Sequence, residues 1–326
     1  NRLTGQREAS LDALQRAAKL LPELQQSPEE YDRRRKQLRN EAVAVLAKTD
    51  ITIDREKDPD RTGVVTEYDY DYHRYAFSRP HGMEIRRTTD DHLMLTIPRH
   101  EVPAKFLLFS SDGRYLAAIH WHNSFEKRYL QVWDCEKNSS VLNIESAASK
   151  FCFSDVSGSD DIARLAIMED SVVRVYDLSD VSTPASQDFG FPLDDIQFTD
   201  GNARIAAVGS TQRAIVFWTL ESDTLDPLPT TNNWASLDWC AKTNQLAAGA
   251  HNGTIEVFDI EQGVSRFKLI GHEDSVHKIS ISPDGEVLAS NSWDSTTRIW
   301  DVQSQLEFRR LEHHRILSGF SRDGQN

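Results

Sequence analysis

Between Leu269 and Asp301 the chain alternates apolar and polar residues in three short runs: Val276 to Ile281, Val287 to Ser290 and Thr297 to Trp300. The turns Pro283-Asp284-Gly285 and Trp293-Asp294-Ser295 separate them, each rich in residues that tolerate tight backbone reversal. A period of two broken by such short turns predicts an antiparallel meander. The pattern recurs along the chain. An aromatic closes the third run at Trp133, Tyr176, Trp218, Phe258 and Trp300, positions that subtraction puts 43, 42, 40 and 42 residues apart, and Asp follows it at 134, 177, 259 and 301. A second marker recurs in phase, as Phe109-Ser110-Ser111-Asp112-Gly113, Phe153-Ser154, Phe198-Thr199-Asp200-Gly201, Asp238-Trp239, Ile281-Ser282-Pro283-Asp284-Gly285 and Phe320-Ser321-Arg322-Asp323-Gly324. Two markers with one period define a repeat, with units expected at about 62–99, 100–145, 146–190, 191–230, 231–270 and 271–312, and another opening at His313.

Residues 1–50 follow a different rule. Ser10 can cap a helix with Leu11, Leu14, Ala17, Ala18 and Leu21 on one side, ended by Pro22. A second start follows, with Ser27 as N-cap, Pro28 at the first helical position and Glu30 completing a capping box. Tyr31, Leu38, Ala42, Val45 and Leu46 supply its apolar stripe, and Arg33-Arg34-Arg35-Lys36, balanced by Glu29, Glu30 and Asp32, reads as a solvated face. From about Thr62 the period becomes two. Tyr68, Tyr70 and Tyr72 alternate with Glu67, Asp69 and Asp71, which predicts a strand with one aromatic and one acidic face.

Gly271-His272 near the start of the sixth unit and Trp300-Asp301 at its end resemble the signature of the WD-repeat family, whose members arrange four-stranded blades around a central channel. The resemblance covers residues 62–326 and implies an all-β propeller with six blades visible and a seventh begun, preceded by a short α-helical segment. Within the sixth unit the Trp300 indole needs an acceptor, Ser290 or Ser292 can supply it, and His272 can link that hydroxyl to Asp294. The same His, Ser and Asp also fit a hydrolase triad, but no oxyanion-hole motif accompanies them, and the structural reading is favoured. At the position of Asp294 the earlier units carry Lys127, Asp170, Gln212 and Asn252, so only the sixth holds the whole tetrad. In WD-repeat propellers the turn between the second and third strands opens on the face most used for binding. The resemblance therefore implies that Glu169, Thr211, His251 and Trp293, one residue before that position, project toward a protein partner, with Trp293 as the first choice of anchor.

Charge narrows the partners. Lys plus Arg number 37 against 51 Asp plus Glu, and a net charge of −14 repels phosphate backbones and anionic lipid surfaces, which disfavours nucleic acid. No uncharged run is long enough to insert in a membrane. Cys135, Cys152 and Cys240 show no ligand spacing, and His120 and His122, on one face of a strand, have no recognisable third ligand, so no metal and no other cofactor is expected. No small-molecule substrate is expected either.

The helical part carries a second resemblance. Gly5-Gln6-Arg7, Ser10-Leu11-Asp12-Ala13-Leu14, Leu38-Arg39-Asn40-Glu41-Ala42 and Leu46-Ala47 look like the linker between kinase and propeller in large bacterial serine/threonine protein kinases. No Gly-rich loop with its lysine, no HRD loop and no DFG is present. Two functions follow. One is a non-catalytic protein-interaction scaffold, cytoplasmic if it stands alone. The other is the regulatory half of a membrane-anchored kinase, with the propeller outside the cytoplasm. The terminal residues set a further expectation: a chain cut within its seventh unit, of which about Ile316 to Ser321 forms the first strand. The six blades would then form an open arc or strained ring whose first blade is covered by the helices.

Overall fold

The computed structural model describes residues 16–20, 27–47, 66–79, 82–98, 102, 104–121, 128–156, 162–312 and 319–320. Most of the first expected helix, Lys127, His122 and most of the Ile316 to Ser321 strand lie outside them. Six four-stranded antiparallel sheets follow one another, and in each the strands lie side by side in chain order. They are blades 1 to 6, opening at Thr66, Ala104, Lys150, Asp195, Trp234 and Val276. The chain is an all-β propeller with a short helical segment in front.

The recurring turn explains the shared register. In blade 6 the Ser282 hydroxyl donates to Asp284 Oδ1 (2.5 Å), the Glu286 N–H donates to the same oxygen (3.0 Å), and Val287 N–H donates to Ser282 Oγ (2.9 Å). Gly285, at φ +75°, closes the reversal. Blade 2 repeats the set with Ser110, Asp112, Gly113, Arg114 and Tyr115. The turn residues satisfy their own backbone, so each second strand starts at a fixed step after the first.

Each blade is apolar on both faces, and the cores lie between blades. Five buried clusters join neighbours in turn. Ile85 and Ile97 of blade 1 meet Phe109 and Leu116 of blade 2, and the last cluster sets Ile255 and Val257 of blade 5 against Ile279, Leu288 and Trp300 of blade 6. The other three join blades 2 to 3, 3 to 4 and 4 to 5. A fully buried Leu or Ile side chain contributes about 1.5–3 kcal/mol, so packing dominates wherever the tetrad is incomplete. Among the described residues no such cluster joins blade 6 to blade 1. That seam is bridged by polar contacts: the Tyr72 hydroxyl donates to Gly319 O (3.0 Å), Gly319 borders Ser280, and Lys278 of blade 6 acts electrostatically on Glu67 of blade 1.

Two expectations change. The strand expected to carry Tyr68, Tyr70 and Tyr72 ends at Tyr68, because Asp69 accepts the Arg74 N–H (3.0 Å) and Nε (2.9 Å) and folds the intervening residues into a turn. Tyr72, at φ +55°, stacks back on Tyr68 with ring centroids 5.4 Å apart, so the acidic ladder does not form. Helix α1, Pro28–Ala47, is capped by Ser27, whose Oγ accepts the Glu30 N–H (3.3 Å). It lies against the last strand of blade 6, Leu306–Glu312, and not over blade 1.

Candidate interaction face and the network beneath it

Blade 6 builds its site from strands Val276–Ile281, Val287–Ser292 and Thr296–Asp301. Leu288 pairs with Trp300, which puts Ser290 one step along the same face. The Trp300 indole donates to Ser290 Oγ (2.8 Å), Ser290 Oγ lies 2.8 Å from His272 Nε2, and His272 Nδ1 lies 2.8 Å from Asp294 Oδ2. The donor inventory orders the protons. An indole only donates, so the Ser290 hydrogen goes to His272 Nε2, and His272 Nδ1–H goes to the Asp294 carboxylate. Burial pushes the His272 pKa below its ordinary value, partly offset by Asp294, which agrees with a neutral ring. Burial alone would raise Asp294, but hydrogen bonds from Thr296, His272 and the Glu273 N–H hold its carboxyl well below the usual carboxylate range. Ser290 is fully buried, with its hydroxyl engaged on both sides, and no substrate carbonyl can reach it.

The structure separates the two serines. Ser292 Oγ donates to Asp274 O (2.8 Å) and accepts the Asp294 N–H (3.1 Å), so it shapes the turn and has no contact with the indole. The network also extends further than the sequence suggests. Thr296 Oγ1 donates to Asp294 Oδ1 (2.6 Å) and accepts from Arg298 Nε (3.3 Å), and Arg298 Nη1 meets Glu307 Oε2 at 2.7 Å. Other blades use other partners. The Trp218 indole donates to Asp223 Oδ1 (2.9 Å), Asn252 Oδ1 accepts the Thr254 N–H (3.1 Å), and the Trp133 indole N–H has no acceptor among the described residues.

Glu169, Thr211, His251 and Trp293 all fall at the link between second and third strands, and so on one rim. They differ in freedom. Glu169 is tied to Ser146 and Arg174; His251 touches Ser275 Oγ through Nδ1 (3.3 Å) and Asp194 through Nε2 (3.5 Å); Thr211 is exposed. Trp293 is 62% exposed while its ring lies 4.6 Å from that of His277. Two apolar sites escaped sequence reasoning. Ile270, in the connection from blade 5 to blade 6, is 79% exposed, and Phe106, 51% exposed, lies 5.5 Å from the Trp121 ring, over which Arg128 sits. Their only signal was an apolar residue beside a turn for Ile270 and an apolar residue within a strand for Phe106.

On the opposite face a cavity of about 530 Å³ is lined by Asp69, Tyr70, Arg74, Arg87, Met94 and Asp112. Its strongest charges are already engaged, since Arg74 binds Asp69 and Gly113 O (2.6 Å) and Arg87 binds Asp90 (2.9 Å). His120, one of the two histidines weighed as metal ligands, places Nδ1 3.0 Å from Val102 O. No group of three or more His, Cys, Asp or Glu among the described residues is placed to hold a metal ion, and no described helix is long and apolar enough to cross a membrane.

The first strands of blades 1 and 5 carry two partly buried carboxyls, Glu67 and Asp238, that burial pushes up to about 7 in each case. Unfolded, they would lose their protons near 4.5 and 3.8. The folded chain therefore binds protons more tightly through that window, and the stability these groups add is present below about pH 4 and lost as pH rises to about 7. Asp238→Asn should accordingly gain melting temperature relative to the native chain between pH 5 and pH 8. A gap that stays constant over that range would mean that burial does not govern this carboxyl.

Residues 263–301 match the family model described as WD domain, G-beta repeat. The serine-threonine kinase receptor-associated protein of Homo sapiens is 26% identical over 218 residues, 65% of this chain and 58% of the relative. The transcriptional corepressor LEUNIG_HOMOLOG of Arabidopsis thaliana is 25% identical over 202 residues, 60% of this chain and 24% of the relative. Guanine nucleotide-binding protein subunit beta-5b of Danio rerio is 39% identical over 66 residues, 20% of this chain and 17% of the relative. The matched residues thus span about a sixth to three fifths of these relatives' length. The repeat match, the six blades and these relatives make the chain a WD-repeat β-propeller protein.

Proposed function

We propose that this chain is a non-catalytic scaffold that binds protein partners on the rim formed by the links between second and third strands. The observation that carries the reading is Trp293, 62% exposed next to a turn held from below by the His272–Asp294 network. A large apolar side chain presented from a rigid support supplies contact area at little entropic cost, which is the anchor type that dominates binding energy at interfaces. Ile270 and Phe106 extend the apolar character of the rim. Acidic charge and a fully engaged Ser290 favour binding over catalysis and a protein over a nucleic acid.

The division into a helical segment over 1–50 and a propeller over 62–326 belongs to this reading, with the propeller as the recruiting part of a larger protein. The reported relatives carry their own roles, as a receptor-associated protein and as a corepressor. Coming from animals and a plant, they lend no support to the bacterial kinase reading, which rests on the helical residues alone. The test compares proteins cross-linked to the native chain, to Trp293→Ala and to Tyr70→Ala on the opposite face. Expected is a partner whose affinity falls about tenfold or more with Trp293→Ala and is unchanged with Tyr70→Ala. Equal affinity for all three chains would move the partner surface off this rim.

A further inference from the structure

In blades 2, 3, 5 and 6 the Asp that closes the third strand caps the next turn: Asp134 Oδ1 accepts the N–H of Glu136 (3.0 Å) and Lys137 (2.9 Å), Asp177 Oδ1 that of Ser179 (2.8 Å), Asp259 Oδ1 that of Gln262 (3.1 Å), and Asp301 Oδ1 that of Ser304 (2.6 Å). In blades 2 and 5 the second oxygen takes a two-pronged contact from an arginine of the same blade. Arg114 reaches Asp134 Oδ2 through Nε (3.1 Å) and Nη2 (2.9 Å), and Arg266 reaches Asp259 Oδ2 through Nε (3.2 Å) and Nη2 (2.5 Å).

Blade 6 has neither arginine. The backbone makes Glu286 the counterpart of Arg114, because Val302 N–H bonds Glu286 O (2.9 Å) as Cys135 N–H bonds Arg114 O (2.8 Å). Phe308 follows Asp301 at the interval that separates Arg266 from Asp259. The missing guanidinium arrives from far away in the chain. Arg39 of α1 binds Asp301 Oδ2 through Nε (3.1 Å) and Nη2 (3.0 Å). Its side chain is 26% exposed, against 77% for Arg33 in the basic run of the same helix. Exposed pairs contribute little, but a guanidinium on a buried carboxylate that meets no other cation among the described residues is a charge-assisted, directional contact.

We propose that the carboxylate of Asp301 is a docking site for helix α1, left open to it because blade 6 sets neither of these arginines against that carboxylate, and that this contact fixes where the N-terminal part of the chain leaves the propeller. The proposal is independent of the rim and its partner. It makes the helix and an in-blade arginine competitors for one oxygen. Hydrogen–deuterium exchange on the full chain tests this with two variants. Arg39→Gln should raise exchange of residues 28–47 about tenfold or more and loosen the turn after Asp301. Glu286→Arg, which gives blade 6 the arrangement of blade 2, should release the helix to a similar degree while the turn after Asp301 stays protected. Unchanged protection of the helix in either variant would overturn the proposal, and so would a helix released by Glu286→Arg together with a loosened turn, since that pattern means a disrupted blade in place of competition.

Discussion

Replacing His272 with alanine is expected to cost about 1–3 kcal/mol in urea unfolding, without loss of the propeller fold. The ring is enclosed between Ser290 and Asp294, so its removal leaves a hydroxyl without its acceptor and a carboxylate without its strongest side-chain partner after Thr296. Neither group gains easy access to water: Ser290 is wholly buried and the Asp294 side chain is 7% exposed. The loss is bounded from above because Thr296 and the Glu273 N–H continue to hold Asp294, and because the cluster around Leu288 and Trp300 stays packed. Since the His272 ring is neutral when folded, the native chain loses stability as pH falls below the unfolded histidine value near 6.5, and the alanine variant lacks that component. A change below about 0.5 kcal/mol would show that the four side chains do not act as one network.

Much of this geometry was readable in the chain. The repeat period placed His272, Asp294 and Trp300 in one unit, and alternation placed Ser290 and Ser292 on one face of its second strand. What alternation could not do was choose between Ser290 and Ser292, which share that face. Register chose: Trp300 pairs with Leu288, and an indole reaches the diagonal neighbour one step along, which is Ser290. Tyr70 and Tyr72 misled because a run of alternating residues has the same pattern in a strand and in a turn held by its own side chains. Here the Asp69–Arg74 contact decides in favour of the turn. The Arg39–Asp301 pair was out of reach for a different reason. The two residues lie 262 positions apart, and an arginine in a basic run gives no sign of which carboxylate it will meet. The blades' own arginines give that sign only once register shows which positions correspond.

The loop that carries His272 also rests on a neighbour, and Gly253→Ala should reveal how firmly. Gly253 closes the link between the second and third strands of blade 5 at φ +84°, and its N–H reaches back to Ala250 O (3.2 Å). A Cβ added there would lie 2.3 Å from His272 O, 2.8 Å from His272 C and 3.2 Å from Asp274 O. All three are backbone atoms, so no side chain can swing away, and relief requires either the blade 5 turn or the 272–274 loop to move. Gly201 provides the control: it also has positive φ, at +59°, but a Cβ there meets nothing within 4 Å. Gly201→Ala should therefore cost only the left-handed backbone penalty, about 1–2 kcal/mol. Gly253→Ala adds a steric displacement of about 1–3 kcal/mol and should come to at least twice the control. It should also disturb the His272 ring, whose Nδ1–H resonance would shift or broaden as Asp294 is pulled out of line, whereas Gly201→Ala leaves that signal in place. Costs for the two variants that agree within about 0.5 kcal/mol, together with an unmoved His272 signal, would show that the contact between blades 5 and 6 yields freely and that the rim beneath Trp293 is not rigid.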